Sequence, residues 1–195
     1  SNPYKRFLFL ILEAVKRFYL LSKFNRYFQS PIQEKYIYFP LHLVPESSTF
    51  VKIPLYVNEL LLIEAISKSL PINWKLYIKE HQSMMGQRNI DFYKKALKFH
   101  NVKIVKNNFY KDPKPWIEKS LGVVTITGTS AFEASMLNKP AIVFGKVFYN
   151  VISGIKFVNN IEKLEQMFKL IETGNWNKDN TIDCAVYLKT IKELG

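Results

Sequence analysis

The sequence predicts an α/β fold: a doubly wound parallel sheet covered on both faces, with a helical extension at its N-terminal end. Three observations predict it. From about residue 33 onward, β-rich runs alternate with segments of helical period. The runs 122–127 and 140–145 are apolar or β-branched almost throughout, as strands buried on both faces require. No internal repeat or low-complexity tract interrupts the alternation.

The elements follow in order. Residues 4–29 read as one basic, very apolar helix, and residues 1–32 are set apart as an amphipathic extension. A first strand is expected over Lys35–His42, then a turn at "VPESS" and a helix from about Leu55 to Leu70. "NWKLYIKE" (73–80) is the second strand, "NIDFYKKALKFH" (89–100) an amphipathic helix and "VKIV" (102–105) the third strand. A loop with Pro113 and Pro115 leads to a short helix at "WIEKS" and a fourth strand, 122–127. A helix over 130–137, a fifth strand over 140–145 and two helices near 161–171 and 182–193 complete a domain spanning 33–195.

The extension cannot cross a bilayer as a helix. Its longest uncharged run near the start, Phe7–Leu12, falls far below the roughly 20 apolar residues required. Lys5, Arg6, Lys16, Arg17, Lys23 and Arg26 interrupt it against a single acid, Glu13. A secretory signal does not fit, because no small-residue cleavage site follows. Three readings stand: packing on another domain, contact with an anionic membrane surface, or an oligomer contact.

A formal charge of +12 and a pI near 9.6 favour anionic partners. The single cysteine, Cys184, excludes an internal disulfide framework and fits a reducing compartment. His42, His81 and His100 are too far apart to suggest a metal centre, and no metal or cofactor is expected. The chain has no GxGxxG at its first helix, no GxxxxGK[ST] and no GxSxG, so nicotinamide binding, P-loop ATPase and nucleophile-elbow hydrolase chemistry lack their signatures.

Ligands of open α/β sheets bind beyond the carboxyl ends of the strands, which selects four places. In "GTSAFEA", Gly128 permits a tight turn or a close approach, and Thr129 and Ser130 bring hydroxyls to a helix start that suits phosphate. The competing reading is a capping box, Ser130-x-x-Glu133. In "KEHQ", His81 is a candidate phosphate or base contact or proton-transfer group, with Lys79 and Arg88 adding charge; an ordinary loop histidine and solvated cations are the alternative. In "PLHLVPESS", His42 and Glu46 form a candidate acid/base pair, unless Glu46 and Ser47 simply start the next helix. In "FGKVFYN", Lys146 and Tyr149 could line a sugar or base site, or belong to an exposed loop.

Three segments in order, "YFPLHLVPESS", "YIKEHQSMMGQRNIDFYKKALKFHNVKIV" and "VVTITGTSAFEASMLNKPAIVFGKVFY", resemble the capsule polysaccharide synthesis family over about Lys35–Asn150. That family is similar to glycosyltransferases of the GT-B architecture, in which two Rossmann-like domains face each other. The resemblance implies one such half, the donor-nucleotide half, acting in surface polysaccharide synthesis by sugar transfer from a nucleotide-activated donor. It implies that His81 lies near the nucleotide, Thr129 and Ser130 at its phosphates, Glu133 at the ribose, and His42 and Glu46 at the interdomain cleft. The sequence departs at Gln82, where the family has proline, and at Ala131-Phe132, where it has a glycine-aromatic pair. A second, acceptor-binding domain does not fit within 195 residues, so this chain alone is expected to bind nucleotide weakly and not to complete a transfer. Alternatives are a nucleotide-sugar 2-epimerase-like half and a non-catalytic basic scaffold or membrane-peripheral module of capsule assembly. The expected location is cytoplasmic, peripheral to the inner face of a membrane, and nucleic acid is not expected as a partner.

Overall fold

The computed structural model describes residues 3–43, 58–85, 87–106, 110, 112–176 and 181–194. Seven parallel strands form its sheet: β1 (Phe28–Gln29), β2 (Tyr36–Pro40), β3 (Lys75–Lys79), β4 (Val102–Val105), β5 (Gly122–Thr125), β6 (Ala141–Val143) and β7 (Ile155–Phe157). They lie in the order β1-β4-β3-β2-β5-β6-β7. The chain winds outward from β2 to β3 and β4, then crosses back to lay β5 against the other side of β2, with Ile37 beside Gly122 and Tyr38 beside Val123. That reversal makes the fold doubly wound, and it opens a crevice above the carboxyl ends of β2 and β5.

Strand alternation sorts the core into two layers. Ile37, Phe39, Leu76, Ile78, Ile104 and Val124 pack on one face with α2 (Glu59–Ser69), α3 (Ile90–Ala96) and α6 (Leu164–Glu172). Tyr36, Tyr38, Tyr77, Val105, Val123 and Val143 pack on the other with α4 (Lys114–Glu118), α5 (Ser130–Met136) and α7 (Thr181–Leu194). The second layer is aromatic: Tyr36 stacks on Tyr77 at 4.1 Å, and the Tyr36 hydroxyl donates to the Trp116 carbonyl at 2.7 Å.

Two strands were not expected from the sequence. The N-terminal helix, α1 (Pro3–Phe24), stops before residue 29, and Phe28–Gln29 then pairs with β4. Phe24 and Phe28 are both buried against Tyr93, so core packing and pairing with β4 end a run whose local pattern is helical. The other, β7, has three residues, too few to show a period. Of the helix expected over 55–70, residues 55–57 lie outside the described residues. No helix among the described residues is long and apolar enough to cross a membrane.

Candidate functional site

A cavity of about 560 Å³ opens at the crossover. Its walls come from the ends of three strands: His42 after β2, Lys79 and His81 at and after β3, and Thr125 to Ser130 at and after β5, with Glu133 of α5.

Thr125, Gly128 and His42 form its floor. The Gly128 N–H donates to Thr125 Oγ1 at 3.2 Å, and the same oxygen lies 3.2 Å from His42 Nε2. With one lone pair of Oγ1 taken, the threonine proton can go to Nε2, which puts the proton of a neutral imidazole on Nδ1. That nitrogen is buried, has no hydrogen-bond partner among the described residues, and lies 3.8 Å from Glu59 Oε1, an electrostatic rather than hydrogen-bonding distance. Close approach explains the glycine: a Cβ at residue 128 would sit 2.7 Å from Thr125 Oγ1 and 3.4 Å from His42 Nε2.

The acid beside His42 is therefore Glu59, in the first turn of α2. Its Oε1 accepts the His42 backbone N–H at 2.8 Å. Burial pushes its carboxyl up, but hydrogen bonding with His42 and the Arg88 guanidinium outweigh burial and hold it below the usual carboxylate range. Glu46, the acid expected in this role, and Ser47 lie outside the described residues.

Arg88 does not line the cavity. Its Nη1 donates to Glu59 Oε2 at 2.5 Å, its Nε to Glu80 Oε2 at 2.8 Å and its Nη2 to the His42 carbonyl at 3.1 Å. Glu80, 1% exposed, also accepts the Tyr93 hydroxyl at 2.6 Å and the His81 N–H at 2.8 Å. Burial opposes the charge of Arg88, but the two carboxylates outweigh it and hold the guanidinium protonated. The cation expected to meet a ligand thus ties both histidine loops from behind.

Lys79 is different. It is half-buried in the cavity wall, burial pushes its ammonium below the usual lysine value, and no carboxylate among the described residues pairs with it. His81 is exposed, and its Nδ1 accepts the Ser83 N–H at 3.2 Å, which leaves Nε2–H as the donor of the neutral ring.

The capping box does not form. Thr129 is the N-cap of α5 without a side-chain bond to the backbone, and its hydroxyl donates instead to Glu133 Oε1 at 3.2 Å. The Ser130 hydroxyl is buried and has no partner among the described residues. Tyr149 lies beneath the turn rather than in the cavity: its hydroxyl donates to the carbonyls of Gly128 at 2.6 Å and Thr127 at 3.1 Å. Lys146 is exposed and away from the cavity lining.

Sequence reading thus missed Glu59, Glu80 and Thr125. Glu59 falls inside the helix expected over 55–70 and Glu80 ends the strand expected over 73–80, and only their burial distinguishes them. Among the described residues, no group of three His, Cys, Asp or Glu side chains could hold a metal ion.

A family model described as "Capsule polysaccharide biosynthesis protein" matches residues 31–167. No curated protein matches the sequence. Among solved structures, the beta Kdo 2,7 transferase KpsC of Thermosulfurimonas dismutans is 20% identical with a TM-score of 0.53, covering 83% of this chain and 52% of that one. The UDP-GlcNAc 2-epimerase of Methanocaldococcus jannaschii, in complex with UDP-GlcNAc and UDP, is 16% identical with a TM-score of 0.57, covering 91% and 49%. WaaG, a glycosyltransferase involved in lipopolysaccharide biosynthesis, is 14% identical with a TM-score of 0.51, covering 90% and 47%. At these identities the likeness is one of fold, and the chain spans about half the length of each.

Proposed function

The chain belongs to the capsule polysaccharide biosynthesis protein family, and from that premise we propose that it holds the nucleotide of an activated sugar donor for glycosyl transfer. The observation that carries this reading is the wall of the crossover cavity, where a half-buried Lys79 and a Ser130 hydroxyl, neither with a side-chain partner among the described residues, line the same space. An anionic ligand offsets the desolvation of the first and supplies an acceptor for the second.

In this reading the donor phosphates lie against Gly128, Thr129 and Ser130, with Lys79 neutralising charge. His81 donates from Nε2 to a phosphate or the base. Glu133 faces the ribose, exchanging its bond from Thr129 for a sugar hydroxyl. His42, backed by Glu59 of α2, stands at the cavity floor as the candidate for proton transfer. Arg88 and Tyr149 act from behind, holding the loops that carry these groups. The chemistry is positioning plus stabilisation of the departing phosphate. Residues 33–195 form the nucleotide-sugar-binding unit, an acceptor-holding partner domain completes the enzyme, and the step takes place at the cytoplasmic face of a membrane.

The test is a titration of the chain with nucleoside mono- and diphosphates and nucleotide sugars, followed by calorimetry and NMR. Binding perturbs the signals of His81 and Ser130; Ser130→Ala and Lys79→Gln each weaken it about tenfold, near 1.4 kcal/mol. Ser130→Ala leaves the melting temperature unchanged, because the hydroxyl it removes has no partner among the described residues. Absence of any perturbation at these residues refutes the site.

The overlap with the 2-epimerase fold favours a second reading, in which the same half serves epimerisation of a nucleotide sugar. Product analysis of the full-length protein with a labelled nucleotide sugar separates them: an extended acceptor supports transfer, an epimerised donor supports epimerisation.

A further inference from the structure

The helix α1 stands apart from the domain in an unusual way. Phe24, at its last residue, is buried in the core, yet Phe7, Leu8, Ile11, Val15, Phe18 and Tyr19 keep 43% to 76% of their surface exposed. At 100° per residue these six positions fall within an arc of about 120°. A contiguous apolar face of this kind is uncommon on a soluble surface and marks an interaction site.

The charges name the occupant. Residues 3–26 carry six lysines and arginines against Glu13 alone. Lys5 and Arg6 lie outside that arc, and by sequence position alone Lys16, Arg17 and Lys23 fall in the same roughly 120° as they do, a side that Phe9 and Glu13 share. A second copy of this helix would place two strongly cationic segments side by side, a like-charge juxtaposition that opposes association. An anionic lipid surface meets both requirements: its acyl boundary takes the apolar face, and its negative surface potential attracts the cations of the polar face. Aromatics such as Phe7, Phe18 and Tyr19 suit that depth, where an apolar ring body meets a wet boundary.

We propose that α1 lies in the plane of an anionic bilayer surface, apolar face down, and docks the domain there without crossing. Phe24 then joins the lipid-bound helix directly to the core of the domain through its edge contact with Tyr93 of α3, whose ring lies 5.2 Å away. The domain is therefore held close to the membrane rather than tethered at a distance. The proposal does not depend on what the crossover cavity binds.

The test is flotation of the intact chain with phosphatidylcholine vesicles containing or lacking phosphatidylglycerol. Expected are co-flotation with the anionic vesicles only, and loss of binding as salt rises. Lys5→Gln with Arg6→Gln weakens partitioning about 25-fold, at roughly fivefold per cation. Phe7→Ser with Phe18→Ser abolishes it, while the melting temperature and any nucleotide response stay unchanged, because neither residue belongs to the core. Equal binding to neutral vesicles, or none to anionic ones, overturns the proposal. So does a dimer seen by sedimentation that persists with anionic vesicles present and is lost with Phe7→Ser and Phe18→Ser, which would show a second copy covering the face.

Discussion

Replacing Arg88 with methionine asks how much the fold depends on one buried guanidinium. The substitution keeps most of the side-chain bulk but removes the donors that Arg88 gives to Glu59, Glu80 and the His42 carbonyl, leaving Glu59 with the His42 N–H and Glu80 with the Tyr93 hydroxyl and the His81 N–H. Both carboxylates are then left in places where their side chains are 4% and 0% exposed. Breaking a buried pair by removing one partner costs about 3–5 kcal/mol, and a stranded carbonyl adds about 1 kcal/mol more. Protonation of a carboxylate caps the total near 5 kcal/mol. For a chain of this size that is a fall of roughly 10–20 °C in Tm. Urea unfolding, followed by the fluorescence of the buried Trp74, Trp116 and Trp176, reads it directly. Adding Glu59→Gln and Glu80→Gln to Arg88→Met removes the stranded charges and recovers at least half of the loss. A destabilisation below about 1 kcal/mol, the range of an exposed ion pair, would refute the view of Arg88 as a buried hub.

Three further outcomes follow from the same geometry. Gly128→Ala places a methyl 2.7 Å from Thr125 Oγ1 and costs about 1–3 kcal/mol by thermal melting; Thr125→Ala in the same chain relieves it, and a cost that persists there refutes the contact. Tyr149→Phe strips a donor from the Thr127 and Gly128 carbonyls, costs about 1–2 kcal/mol, and speeds hydrogen exchange at residues 127–130; unchanged exchange would show the turn is held otherwise. The folded Glu59 carboxyl lies below its ordinary value of 4.5, so its stabilisation is complete above that pH and is lost as pH falls through the lower folded value. Urea midpoints of the native chain and Glu59→Gln, compared from neutral pH downward, converge below about 4.5; a constant gap contradicts the assignment.

The central strands were legible because burial on both faces writes itself into sequence as uninterrupted apolar runs, as in 122–127 and 140–145. The edge strands were not. Phe28–Gln29 and Ile155–Phe157 owe their state to a neighbour's free edge, and two or three residues carry no period. In the site, strand ends located His42, Lys79, His81 and the Gly128–Ser130 turn. What sequence could not tell was which polar groups face inward. Ser130 and Glu133 match a capping box in spacing, yet Glu133 accepts from Thr129 and the Ser130 hydroxyl has no partner among the described residues. Arg88 and Glu80 sit eight residues apart with nothing local to mark a buried pair, and Glu59 reaches His42 only because α2 begins beside the end of β2.

The arrangement around Arg88 also bears on how this domain can change over generations. One guanidinium fixes the carbonyl of His42 and, through Glu80, the amide of His81, so the spacing of the two histidine loops has a single set point. Lysine cannot inherit the role, since its point charge cannot present a planar fork to three acceptors lying in different directions. Loop residues that face the cavity can drift one at a time and retune what fits there, whereas altering the gap between the loops demands concerted replacement of Glu59, Glu80 and Arg88. Diversification is therefore expected to run through cavity-facing side chains on a mouth of constant width.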